Sequence, residues 1–167
     1  MKSQMAIIAL GSNLGDSRRT ILDAMDGLQK LSEEPILKSS LWKTSPVNCP
    51  PGSPEFVNAV VALAPRRDET PESLLAKLHE LEKEFGRGQK KVMNEPRPLD
   101  LDLIVFGKEV RKTHDLVLPH PRAYTRKFVL QPLSEIAPDL VLPGQGRTVA
   151  QLLAELPTTE ILAPLDS

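Results

Sequence analysis

Cysteine occurs once in the 167 residues, at Cys49, so no internal disulfide framework can staple the chain, and a reducing, cytoplasmic setting is expected. No run approaches the ~20 apolar residues that a membrane helix needs. The opening "MKSQMAIIAL" is too short and too poorly flanked for a secretory signal. Neither sign of charge prevails: the formal net charge is −1, which offers nothing overall to attract nucleic acid or an anionic membrane surface. Aromatics are scarce, with one Trp, one Tyr and four Phe, and the aromatic sheet motif of an RNA-binding module is missing. The P-loop pattern G-x-x-x-x-G-K-[ST] is absent, "GSNLG" is not a G-x-G-x-x-G, and no kinase catalytic motif is found.

Proline, by contrast, is plentiful. Sixteen are present, clustered at 46–54, 96–98 and 119–121 with no repeat or low-complexity tract beside them. That is roughly twice ordinary usage and reads as stiff loops within one folded domain spanning 1–167. Along the chain, "MAIIAL" reads as a first strand and "GSNLGDS" as a turn into a helix over about 17–31. "ILKSSLWKTS" has strand character. In the strand "EFVNAVVALA", Phe56, Asn58, Val60 and Ala62 share one face. A helix follows over "TPESLLAKLHELEKEFG": Thr70 can cap it, Pro71 suits its first turn, Leu74, Leu78, Leu81 and Phe85 form its stripe, and Gly86 stops it. A polar loop, the strand "LDLDLIVF", a hairpin around "GKEV", a helical stretch at about 121–137 and a short helix near 148–156 complete the chain. The order strand–helix–strand–strand–helix–strand predicts an α+β, ferredoxin-like sandwich: an antiparallel sheet with helices packed on it.

Two acids open the most hydrophobic of these strands. In "PRPLDLDLIVFG", Asp100 and Asp102 project from one strand face roughly 6–7 Å apart, while Leu99, Leu101 and Leu103 project from the other. Two carboxylates this close repel unless a cation lies between them, and oxygen-only ligands suit Mg²⁺, which shares its coordination with water and phosphates. A bare D-x-D equally fits two solvated acids at a strand end. Its surroundings shift the balance. From Gly86 to Lys127 there are ten Lys/Arg against five Asp/Glu, with Arg87, Lys90, Lys91, Arg97, Arg122, Arg126 and Lys127 bracketing the acid pair. Acids for a cation, ringed by bases, make the arrangement expected for a nucleoside triphosphate.

Five segments in register then resemble the 6-hydroxymethyl-7,8-dihydropterin pyrophosphokinase family of folate biosynthesis. They are "ALGSNLGD", "TSPV" followed by "FVNAVVAL", "LEKEFGR", "PRPLDLDLIVFG" and "LPHPRAYTRKFVLQPLSEIAPDL", covering about residues 9 to 142. The resemblance implies transfer of the β,γ-pyrophosphoryl group of ATP to the pterin's hydroxymethyl oxygen, with AMP leaving. It implies that Asp100 and Asp102 hold two Mg²⁺ ions. It makes Arg97 a grip on the phosphates, Arg87 a residue of a loop that closes over the substrates, and His120 and Arg126 residues on the α-phosphate side. Phe56 and Phe128 match a pair that stacks on the pterin, with Asn58 on the same face as Phe56 and Thr44 at the pterin's edge. Glu82 matches a family glutamate, although by itself it reads as solvated, and Trp42 reads as packing.

Three positions depart from the family pattern: Gln89 replaces a loop arginine, Asn94 a tryptophan, and Asp115 a basic residue ahead of "LVLPH". Lys90 and Lys91 would then take over part of the ATP contact in a loop, from Arg87 to Pro96, that is expected to be mobile without ligand. These departures leave a second reading open, a weakened paralogue that binds nucleotide or pterin without efficient turnover. The expected protein is a cytoplasmic monomer acting on ATP and the hydroxymethyldihydropterin, with no nucleic-acid or membrane partner.

Overall fold

A near-continuous apolar run forms β1 (Ala6–Ser12), buried on both sides as befits a strand covered above and below. The computed structural model describes residues 5–12, 16–44, 56–85, 99–121, 123–156 and 162–164. After β1 come α1 (Ser17–Gln29), β2 (Leu37–Lys38), β3 (Trp42–Thr44), β4 (Phe56–Leu63), α2 (Pro71–Glu84) and β5 (Asp100–Phe106). Then follow β6 (Arg111–Lys112), β7 (Val117–Leu118), a 3₁₀ turn (Ala123–Thr125), α3 (Lys127–Ile136), α4 (Val149–Glu155) and β8 (Leu162–Pro164).

The main sheet runs β5–β1–β4–β3–β8, with β2 also paired to β4, and every pairing is antiparallel. With β2 and β3 counted as one interrupted strand, this is the expected β-α-β-β-α-β sandwich. Helices α1 and α2 cover one face, where Ile8, Leu10, Ile21, Leu28, Val61, Leu63, Leu74, Leu78, Leu99 and Leu101 interlock. On the other face Ile7, Val60, Ala62 and Ile104 of the sheet join Val129, Leu130 and Leu133 of α3 and Val149 of α4 in a second core. Each fully buried Leu or Ile side chain contributes about 1.5–3 kcal/mol, so two such layers hold the sheet rigid.

Helix ends follow their caps. Asp16 accepts the Arg19 N–H at the start of α1, and Thr70 and Ser73 form a capping box on α2. Thr148 and Gln151 do the same for α4.

Four expectations need correction. The strand over "ILKSSLWKTS" is broken, because buried Ser39 accepts the Val60 N–H through its hydroxyl at 2.9 Å, replacing a ladder carbonyl with a side chain. The hairpin falls one turn later than "GKEV": Gly107 turns the chain at φ 56°, and β6 pairs β7 across a loop closed by the Thr113 hydroxyl on Leu116. The single helix expected at 121–137 divides at Arg126, whose φ −112° and ψ 117° are extended rather than helical. Strand β8 had no counterpart in the sequence reading, since three residues ending in proline carry almost no strand signal.

Candidate active site

Register brings the acid pair to one end of the sheet, at the head of its edge strand β5. Opposite Gly11 on β1 stand Asp100 on β5 and Asn58 on β4, and opposite Asn58 stands Trp42 on β3. Directly paired residues of antiparallel strands project to the same face, so Asp100, Gly11, Asn58 and Trp42 form one transverse row. Asp102 lies in the next row, opposite Ala9. Further along β5 a bulge leaves Ile104 without a partner between Leu103 and Val105. The alternation from Asp100 to Leu103 is therefore regular, with Leu99, Leu101 and Leu103 in the α1–α2 core and the aspartates turned to the α3 side.

At the middle of the row, glycine is needed for room. A Cβ on Gly11 would stand 3.2 Å from Asn58 Oδ1. With only a hydrogen at this position, the asparagine amide and the Asp100 carboxylate share the floor of one cavity without the few tenths of an ångström of adjustment that a methyl group would demand of Asn58.

That cavity, of about 180 Å³, is bordered by Phe56, Asn58, Asp100, Asp102, Arg126 and Phe128. Phe56 is 40% exposed and Asn58 only 7%, so an exposed ring stands beside a buried amide. Phe128 comes from the first turn of α3, and the Arg126 guanidinium lies 5.3 Å from its ring centre, a cation–π contact that stations positive charge at the cavity wall. A second cavity of about 320 Å³ opens on the outer side of β5, lined by Asp102, His79, His114, Asp115, His120 and Leu101 among others. Asp102 borders both.

Edge strand β5 would expose backbone groups, and two of them are taken from outside the sheet. The Leu101 N–H, between the two aspartates, donates to Glu82 Oε2 at 2.7 Å, and Glu82 is 5% exposed. The expectation of a solvated Glu82 is thus corrected: it is a buried carboxylate on α2 that fixes the acid-bearing strand. Further along, the His120 N–H donates to the Ile104 carbonyl at 2.8 Å, which anchors the His120 segment against β5.

Six of the expected residues, Asp100, Asp102, Phe56, Asn58, Phe128 and Arg126, thus meet at one cavity, and His120 meets Asp102 at the other. Thr44 stands opposite Phe56 in the β3–β4 ladder. Arg87, Lys90, Lys91 and Arg97, with Gln89 and Asn94, lie outside the described residues, and Asp115 lines the second cavity. The sequence reading missed the spacing role of Gly11 and the burial of Glu82. A signal existed for the second: Leu74, Leu78 and Glu82 follow one another at i, i+4 steps along the buried side of α2.

The donor set fits a divalent cation that prefers oxygen. Two half-buried carboxylates project together, and among the described residues no group of three or more His, Cys, Asp or Glu could close a metal site from protein alone. Such a pair suits an ion like Mg²⁺, which takes one or two carboxylates and fills the rest of its shell from water and phosphate oxygens.

Comparison with known proteins places these features in company. A family model described as 7,8-dihydro-6-hydroxymethylpterin-pyrophosphokinase (HPPK) matches residues 7–138. A Pseudomonas aeruginosa protein named 2-amino-4-hydroxy-6-hydroxymethyldihydropteridine pyrophosphokinase is 39% identical over 155 residues, covering 92% of this chain and 93% of that one. A Pneumocystis carinii protein named Folic acid synthesis protein fol1 is 35% identical over 154 residues, 92% of this chain, which spans only 20% of that longer protein. Among solved structures, Plasmodium falciparum HPPK-DHPS wild type with pteroate superimposes with a TM-score of 0.71 at 13% identity, covering 92% of this chain and 42% of that one. This last likeness is one of fold.

Proposed function

This chain belongs to the 7,8-dihydro-6-hydroxymethylpterin-pyrophosphokinase family of folate biosynthesis, and we propose that its pyrophosphoryl transfer takes place at Asp102, where the two cavities meet. Enzymes of this family use ATP as co-substrate and pass its terminal pyrophosphoryl group to hydroxymethyldihydropterin. The oxygen of the hydroxymethyl group forms a bond to the β-phosphorus, the bond from that phosphorus to the α,β-bridging oxygen breaks, and AMP departs with that oxygen.

The single observation that carries the assignment is that Asp102 borders both cavities. A flat heterocycle suits the cavity with Phe56 and Phe128 at its walls and the Asn58 amide, donor and acceptor at once, at its floor. The other cavity, lined with His79, His114 and His120, suits the nucleotide. Reacting oxygen and phosphorus then approach each other across β5.

Asp100 and Asp102 would hold Mg²⁺, two ions by the family resemblance, and bound Mg²⁺ supplies neutralising charge to the triphosphate oxygens. Asp102 is also the acceptor nearest to hand for the hydroxymethyl proton. The resemblance sets Arg126 beside His120 on the α-phosphate side, but Arg126 borders the other cavity with Phe128 and is reassigned to countering charge on the transferred group, whereas His120 serves the α-phosphate side where charge develops as AMP leaves. We assign Arg87, Arg97, Lys90 and Lys91 to the ATP phosphates and Thr44 to the pterin's edge. Among the described residues no helix is long and apolar enough to cross a membrane. We take the chain to work as a single-domain monomer in the cytoplasm on these two small molecules.

Phosphorus NMR of ATP, Mg²⁺ and hydroxymethyldihydropterin with the protein tests the reading. AMP together with a pterin diphosphate is the expected pair of products. Formation of ADP would overturn it in favour of an ordinary kinase, and binding without turnover would favour the weakened paralogue.

A further inference from the structure

Glu135 lies near the end of α3 and takes no part in the cavity, yet three donors converge on its carboxylate. The Ser40 backbone N–H donates to Oε1 at 3.0 Å, the Trp42 indole N–H donates to Oε1 at 2.8 Å, and the Ser40 hydroxyl donates to Oε2 at 2.8 Å. More than ninety residues of chain separate donors from acceptor. Hydrogen bonds to an ionised carboxylate are about twice as strong as neutral ones; these three lie at the exposed surface, where solvent weakens each of them, and together they tie α3 to β3 and the residues just before it.

What it attaches matters to the site. Phe128 precedes Glu135 by seven residues, two helical turns, so both lie on one side of α3 about 10 Å apart along its axis. Arg126 is the N-cap of the same helix. On the sheet, Trp42 is the partner of Asn58, and Thr44 the partner of Phe56. One end of α3 therefore carries one wall of the cavity, and its other end grips the strand whose neighbour carries the opposite wall and the floor.

We propose that Glu135 is a positioning residue for pterin binding: by clamping α3 to Ser40 and Trp42 it sets the separation of Phe128 from Phe56 and Asn58. It touches neither substrate. The inference rests on the reading of this cavity as the pterin slot. A ring-stacking slot tolerates little change in width, because dispersion contacts fade within a fraction of an ångström, whereas nucleotide binding on the outer side of β5 is independent of this clamp.

Trp42 is the only tryptophan of the chain and so reports on its own hydrogen bond. The experiment titrates 6-hydroxymethylpterin, in the presence of a non-hydrolysable ATP analogue and Mg²⁺, into wild type, Glu135→Gln and Glu135→Ala, following Trp42 fluorescence and calorimetry. Wild type binds the pterin with a change in Trp42 emission. Glu135→Ala weakens pterin binding several-fold, less than a buried charged hydrogen bond would give because the carboxylate is solvent-exposed, shifts Trp42 emission, and leaves the affinity for the ATP analogue within about twofold. Glu135→Gln, which keeps the oxygen acceptor without the charge, falls between. Should Glu135→Ala fail to fold, Ser40→Ala and Trp42→Phe each remove part of the clamp and weaken the pterin alone, by calorimetry. Pterin affinity unchanged in these variants overturns the inference, as does an equal loss for both ligands with a lowered melting temperature, which marks a general brace. Wild type that binds the ATP analogue but no pterin overturns the reading of the cavity itself, and the clamp with it.

Discussion

Glu82 Oε2 accepts the backbone N–H of Leu101 at 2.7 Å, which puts a buried carboxylate of α2 directly behind the strand residue that separates Asp100 from Asp102. An edge strand free to shift would carry its two acids with it. Glu82→Ala leaves that buried N–H without this acceptor and is expected to cost about 1.5–3 kcal/mol, with turnover falling further than stability alone explains. Glu82→Gln keeps an oxygen in place and restores most of the stability. Thermal unfolding paired with a turnover assay checks both, and a Glu82→Ala variant with wild-type turnover would show that the strand holds its place without this bond.

Gly11→Ala separates space from stability. In a strand interior, replacing glycine by alanine ordinarily gains about 0.5–1 kcal/mol, but here the new methyl stands 3.2 Å from Asn58 Oδ1, closer than ordinary van der Waals contact. The expected protein unfolds at or slightly above the wild-type temperature and yet binds pterin several-fold more weakly, by calorimetry, because the amide must move. Unchanged pterin affinity would mean that the amide can yield at no cost.

Much of this was legible along the chain because strand periodicity is strict. A period of two puts Asp100 with Asp102 and Phe56 with Asn58 on one face of their own strands; that the two pairs share a face follows from the pairing of β4 and β5 with β1. The capped, striped α2 was equally plain. The unforeseen features depend on partners far away in sequence. Nothing near Glu135 announces Trp42, nothing near Ser39 announces that its hydroxyl will replace a ladder carbonyl, and Ile104 gives no sign of the bulge. Glu82 was misread because an acid is ordinarily solvated, and its place in the Leu74–Leu78 stripe was outweighed by its charge.

Phe128→Ala removes one aromatic wall and the ring beneath Arg126. Base–aromatic stacking is worth on the order of 1–3 kcal/mol, so pterin affinity should fall by about that amount while the affinity for an ATP analogue holds. Calorimetry with each ligand decides, and equal weakening of both would reassign Phe128 to the core.

A pH effect is expected away from the site. Arg111 Nε lies 2.6 Å from Glu72 Oε2, joining β6 to the first turn of α2, and this hydrogen bond above all holds the Glu72 carboxyl below its ordinary value of 4.5. A carboxyl depressed in the folded state stabilises the fold above its unfolded value, and that contribution is lost as pH falls through the lower folded value. Glu72 is exposed and Arg111 half-buried, so the effect is small and salt-sensitive. At low ionic strength, wild type should melt slightly above Glu72→Gln near about pH 7, the gap closing as Glu72 protonates in acid. A gap that stays constant into acid would show that the ion pair is not its source.

The acid pair at the head of β5 carries the central claim, and Asp102→Asn is the substitution that reaches it most directly. Asparagine keeps the side chain's shape and removes the charge that Mg²⁺ requires. The far-ultraviolet circular dichroism and melting temperature should match wild type, while the rate of AMP formation from ATP and hydroxymethyldihydropterin falls on the order of a thousandfold, as the loss of several kcal/mol of transition-state stabilisation dictates. Full turnover by Asp102→Asn at saturating Mg²⁺ would contradict the assignment of Asp100 and Asp102 to the metal, and with it the placing of the chemistry at Asp102.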